Sequence, residues 1–262
     1  MKLKIILSFL VFFSVNNLFA QDFIIQKIKE IPLIADQFVG EDKFGNLYYI
    51  HQNTLFRKSE ERLVEYRALQ LGEIASVDLL NPLRISVFYK EANTVVILDN
   101  RLNEMKRISF DQLTHFIMVD YCTTANDQSL WVFNADLQEL EIFNYDREQI
   151  ELKTLPVSTP ILDQKSNFNF CWLQTKTGFQ QYNIYGSLIK EVNVEFDKLE
   201  VHKNFLLLIN KKGISYYFNY KDEELRTLKL PKIEYNQVHL NSEKLYLYNG
   251  KTIFIYQIIP NT

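Results

Sequence analysis

Three aspartates recur in one sequence context. Asp78, Asp120 and Asp163 each follow an apolar residue, in "IASVDLL", "FIMVDYC" and "PILDQKS". Carboxylates brought to one point would hold a hard cation, Ca or Mg, through their oxygens. Glu200 and Gln237 occupy looser versions of the same place. The competing reading is a set of solvated carboxylates that make strand-end hydrogen bonds. A slip of one residue in a strand would turn any member away. The four histidines, His51, His115, His202 and His239, are dispersed, and none forms an H-E-x-x-H pair. His202 and His239 stand in matching contexts and would meet if their segments were neighbours, as a metal or pH-sensitive pair. Cys122 and Cys171 have no zinc spacing with these histidines. They read either as a bridge or as two buried thiols. No nucleophile elbow, phosphate loop or dinucleotide fingerprint occurs.

Two further stretches carry charge in unusual places. "EDKFGNLYYIHQNTLFRK", Glu41 to Lys58, begins like a calcium loop. The later acidic ligands are missing, because "LYYIHQ" follows. The stretch therefore reads as a turn, with Gly45 supplying backbone freedom and Leu47 opening a strand. Arg84 sits in "NPLRISVFYKEANTVVILDN" and reads as part of an otherwise apolar strand. A charge there needs a partner, either an Asp across the fold or an anionic ligand.

The elements that position these residues form a repeat. An apolar strand, a polar turn and a second strand recur as "LYYI…TLF", "ISVFY…TVVIL", "SLWVF…ELEIF", "FCWLQ…FQQYNI", "FLLLI…ISYYF" and "KLYLY…KTIFIY". The first strands end at Ile50, Tyr89, Phe133, Gln174, Ile209 and Tyr248, in steps of 39, 44, 41, 35 and 39 residues. Each pair is preceded by a short run, and all but the last are followed by a third polar-flanked strand. Four strands per unit of about 40 residues describe a β-propeller blade. The sixth unit ends after its third strand, and "DFIIQKIKEI" (22–31) is a spare strand that would complete it. The expectation is an all-β, six-bladed propeller, 21–262, closed by the N-terminal strand. Its blades fall near 36–72, 73–112, 113–157, 158–196, 197–231 and 232–259 plus 22–31. A β-sandwich competes, but predicts neither the period nor the missing last strand.

In a propeller the innermost strands line a channel, which is where Asp78, Asp120 and Asp163 would stand. The turns between second and third strands share one face. His51, Gln52, Asn53, Tyr89, Lys90, Asn134, Asp136 and Lys176 are the candidates there for a ligand or partner. Ordinary solvated turns are the alternative.

The first unit resembles the D-x-x-G-N-L-[YW] pattern of exported six-bladed propellers, through Asp42, Gly45, Asn46, Leu47 and Tyr48. The architectural resemblance covers 22–259, whereas the motif covers one blade. Such propellers include metal-dependent lactone hydrolases and lyases. The resemblance thus implies an alternative in which the channel acids hold Ca or Mg for hydrolysis or elimination.

Residues 1–20 read as a signal peptide. "MKLK" is basic, "IILSFLVFFSV" is apolar but too short to span a membrane, and Ala20 precedes the cleavage point. Without Lys2 and Lys4 the chain has 27 basic and 32 acidic residues, a net charge of −5, which argues against nucleic-acid binding. The expectation is a periplasmic or secreted monomer with no later transmembrane segment and no cofactor. It would act as a non-catalytic scaffold for an envelope protein, a small molecule or a glycan. A sensor domain is disfavoured because no output domain follows.

Overall fold

The computed structural model describes residues 22–203, 205–218, 224–241 and 244–261. The expected signal peptide, 1–20, lies outside the described residues. Twenty-four strands form six four-stranded antiparallel sheets. The chain starts with β1 (Phe23–Pro32). Blade one is β2 (Gln37–Glu41), β3 (Leu47–His51), β4 (Thr54–Lys58) and β5 (Leu63–Tyr66). Blade two is β6 (Ser76–Asp78), β7 (Ile85–Tyr89), β8 (Thr94–Leu98) and β9 (Glu104–Ser109). Blade three is β10 (Val119–Thr124), β11 (Ser129–Asn134), β12 (Glu139–Asn144) and β13 (Gln149–Lys153). Blade four is β14 (Ile161–Ser166), β15 (Phe170–Thr175), β16 (Gly178–Asn183) and β17 (Leu188–Asn193). Blade five is β18 (Lys198–His202), β19 (Phe205–Asn210), β20 (Gly213–Phe218) and β21 (Arg226–Leu228). Blade six is β22 (Gln237–Asn241), β23 (Lys244–Tyr248) and β24 (Thr252–Pro260), completed on its outer edge by β1. This is a six-bladed β-propeller closed by the N-terminal strand.

Strands such as "ISVFY" and "FLLLI" are apolar on both sides because each blade is covered on both faces. Among the described residues, an apolar cluster fills every wedge between blades. Tyr48 packs with Val87, Ile97 with Val132, Trp131 with Leu173, Trp172 with Leu208, Leu207 with Leu247, and Tyr246 with Phe38. The large flat rings suit a wedge that widens outward.

The turn at Asp42–Asn46 shows why a calcium-like motif serves as a turn. The Asp42 carboxylate accepts the backbone N–H groups of Phe44 and Asn46 at 2.9 Å each and the Tyr48 hydroxyl at 3.1 Å. Gly45, at φ +83°, makes the reversal. Asp99 repeats the device, accepting from the Arg101 and Asn103 N–H groups. Cys122 and Cys171 are free thiols, each buried in a different wedge. Among the described residues no helix is long and apolar enough to cross a membrane.

Candidate functional site

The inner strands present one central layer, a residue per blade, opposite the middle of each second strand. Gly40 lies opposite Tyr48, Asp78 opposite Ser86, Thr123 opposite Trp131, Lys165 opposite Trp172, Glu200 opposite Leu207 and His239 opposite Tyr246. The buried partners fix the strands, so the layer is rigidly held. Lys165 Nζ lies 3.1 Å from Glu200 Oε1, and His239 Nδ1 lies 3.6 Å from Glu200 Oε2. The imidazole of His239 rests on Gly40. A β-carbon there would come within 2.3 Å of Nε2.

Burial alone would push the Glu200 carboxyl up, but Lys165 and His239 overcome it and hold the group to about 2. Lys165 is raised, chiefly by Glu200 against its own burial, with Asp163 and Asp78 adding. Burial pushes Asp78 up, and its contacts with the N–H groups of Thr124 at 2.7 Å and Leu80 at 2.8 Å offset part of that. His202, one alternation further along β18, is pushed down to about 4 by burial, with Lys203 and His239 adding. Its Nε2 is buried with no hydrogen-bond partner among the described residues. Within the layer, Lys165 and Glu200 thus satisfy each other. Neither Lys165 nor Glu200 is poised near neutral pH, where general acid–base work needs a group.

The three candidate aspartates are not gathered. Asp78 belongs to the central layer. Asp120 falls in a β-bulge between Val119 and Tyr121 and pairs with Lys90 at 2.8 Å. Asp163 follows a second bulge, stands one layer nearer the channel mouth, and accepts from the Gln164 N–H. Each bulge inserts one residue and breaks the apparent alignment of the three sequence contexts. Among the described residues no group of three His, Cys, Asp or Glu side chains is clustered as a metal site requires. His239, by contrast, is brought to Glu200, and His202 stands beside it.

The turn candidates divide. His51 Nδ1 lies 3.6 Å from Asp36 Oδ1, and the Gln52 N–H donates to the same carboxylate. Asn53 clamps the link to blade two, donating to the Gly72 carbonyl and accepting from the Ile74 N–H. Tyr89 is buried in the wedge between blades one and two. Lys90 sits over the Tyr121 ring. Asn134 is buried and accepts from the N–H groups of Asp136 and Leu137. Asp136 and Lys176 are exposed. Arg84 stands just before β7 rather than inside it, and donates to the Asp127 carbonyl at 2.7 Å and the Tyr145 hydroxyl at 3.1 Å, so its partner across blades is a carbonyl rather than a carboxylate.

Sequence reasoning missed an apolar sector on the face that carries the turns between second and third strands. Phe116 and Met118 lead into blade three, Leu137 is in its second turn, Leu155 links to blade four, and Leu162 occupies the bulge of β14. All five are exposed, Leu155 at 86%. Backbone bonds from Ala135 to Met118 and from Val157 to Gln138, both 2.7 Å, tie these segments together. Five large apolar side chains in adjoining segments exceed the scatter of single exposed residues.

No protein-family model matches the chain, and no curated protein matches it in sequence. In fold it is similar to a virginiamycin B lyase from Staphylococcus aureus, at 10% identity and a TM-score of 0.57, covering 91% of this chain and 100% of that one. It is similar to BamB from Moraxella catarrhalis, at 9% identity and a TM-score of 0.52, over 89% of this chain and 98% of that one. The Pan2 WD40 domain of Neurospora crassa matches at 12% identity and a TM-score of 0.56, over 87% and 76%. At these identities the likeness carries the fold alone.

Proposed function

We propose that the protein is an exported, non-catalytic binding scaffold of the cell envelope that engages a protein partner through the face that carries the turns between second and third strands. The observation that carries this reading is the exposed sector of Phe116, Met118, Leu137, Leu155 and Leu162 beside the polar turn at Asp136. Apolar side chains rimmed by polar turns suit a protein partner. The central layer supports the non-catalytic part, because Lys165 and Glu200 are spent on each other. Export rests on the character of residues 1–20.

The test places a photo-crosslinking residue at Leu155 or Leu137, and at Phe44 on the opposite face, in exported protein. One partner captured from the first two positions and not from Phe44 supports the reading. Equal labelling from all three, or none, removes it. Thermal-shift titrations with calcium and magnesium run in parallel. A large shift lost in Asp120→Ala would replace the scaffold with a metal-dependent enzyme.

A further inference from the structure

A groove of about 570 Å³ opens on the other face, at the outer rim between blades one and two. It is lined by Arg57, Arg62 and Arg101, with Ser59, Asn100 and Asn103 as neutral polar neighbours. Three guanidinium groups share one recess on a chain whose formal charge is −3. Among the described residues none of the three makes an ion pair with a carboxylate.

The reason lies in the turns. The nearest aspartates, Asp42 and Asp99, spend their hydrogen-bonding capacity in their own loops, although the Asp99 charge still attracts Arg101 from behind the turn. Asp42 accepts from Phe44, Asn46 and Tyr48, and Asp99 accepts from the Arg101 and Asn103 N–H groups and the Asn103 side chain. Arg101 is therefore displayed by a turn whose acid points back into the loop. Arg62 is held likewise, since its N–H donates to Ser59 Oγ and its carbonyl accepts from Ser59, which leaves the guanidinium to solvent. Arg57 is half-buried, its guanidinium lies beside the Tyr48 hydroxyl, and its Nε is a buried donor with no acceptor among the described residues. A buried donor left unpaired is costly, and a small shift of the guanidinium toward the groove would let an incoming oxygen satisfy it. Glu61 also lines the groove, on the exposed 59–62 turn, and its charge opposes an anion.

We propose that this groove binds a phosphate-bearing ligand, its oxygens held by Arg57, Arg62 and Arg101. A planar guanidinium fork matches phosphate geometry, and charge-assisted bonds to it are among the stronger polar contacts. Among the described residues, none of the three guanidinium groups is held by a carboxylate in the groove, so a dianion could draw on all of them. The site is independent of the apolar sector, since it lies on the opposite face.

The experiment uses the mature chain with inorganic phosphate, titrated by calorimetry against chloride at matched ionic strength. A second arm measures co-sedimentation with phosphatidylcholine vesicles, with and without phosphatidic acid. The test variant is Arg62→Ala/Arg101→Ala, whose turns are held by backbone, Ser59 and Asp99 rather than by guanidinium groups. Saturable phosphate binding, weakened at least about tenfold in the double variant, is the expected result. Glu61→Gln should tighten it. Phosphate binding without vesicle binding assigns a soluble phosphate ester. Vesicle binding that needs phosphatidic acid and the two arginines assigns a lipid headgroup. Absence of both, or binding unchanged in the double variant, overturns the proposal.

Discussion

Glu200 is the residue on which the channel turns, because Lys165 and His239, on the two neighbouring blades, hold it charged. Removing one of them tests this. Lys165→Met should cost about 1.5–3 kcal/mol, since it leaves a buried carboxylate short of its charged donor. Lys165→Met/Glu200→Gln should recover part of that loss in urea unfolding. If the double variant is no more stable than the single one, the pair is not coupled. pH gives a second handle. His202 is held down to about 4 from 6.5, so the unfolded chain binds a proton in this window that the native chain does not. Stability from His202 is complete above pH 6.5 and is lost as pH falls toward 4, by up to about 3 kcal/mol. Glu200, lowered from 4.5 to about 2, loses its contribution only below pH 4.5. His202→Gln should flatten the upper part of the acid limb and leave the lower part unchanged. Equal slopes for both chains between pH 6.5 and 4.5 would exclude the assignment. The sequence shows Asp78 and the nearness of His202 to His239, because both follow from repeat position. Lys165 stays hidden, because its role depends on the bulge that displaces Asp163 by one layer.

At the level of elements, hairpins are readable and their fastenings are not. Apolar runs joined by turns that carry Gly or Asn mark each strand pair, because tight turns need positive φ. The links between blades are instead held by turn side chains acting across units. Asn93, at φ +43°, donates to the Ile117 carbonyl and to Asp111, and accepts from the Val119 N–H. Asn53 makes the matching clamp one blade earlier. Neither position is distinctive in sequence, since Asn is common in any turn and the clamp needs a distant backbone. Asn93→Ala should destabilise by about 2–3 kcal/mol, because Val119 N–H and Ile117 carbonyl lose a buried partner. Asp136→Ala, on an exposed turn of the next blade, should stay within about 0.5 kcal/mol of the parent. A comparable cost for both in chemical denaturation would mean that Asn93 acts only through turn preference.

The whole molecule depends on a closure between its two ends. β1 covers the outer edge of β24 from Phe23 opposite Pro260 to Pro32 opposite Thr252. That strand was legible because the last repeat lacks a fourth strand, and a propeller with an open edge would invite pairing with other chains. What the repeat pattern did not reveal is that β1 also reaches blade five. The Phe23 ring lies 4.9 Å from that of Phe205 and 4.6 Å from that of Phe218, and its N–H donates to the Tyr216 hydroxyl at 3.1 Å. The closing strand therefore locks two blades, and the last wedge opens if it leaves. Phe23→Ala should cost about 3 kcal/mol from lost packing. Deleting residues 22–32 should do more, baring nine residues of β24 along one edge. The deleted chain should melt lower and associate with rising concentration. A synthetic peptide of residues 22–32 should restore both properties by adding back the missing strand. A deletion variant that stays monomeric and melts with the full chain would show that the ring holds without its closure.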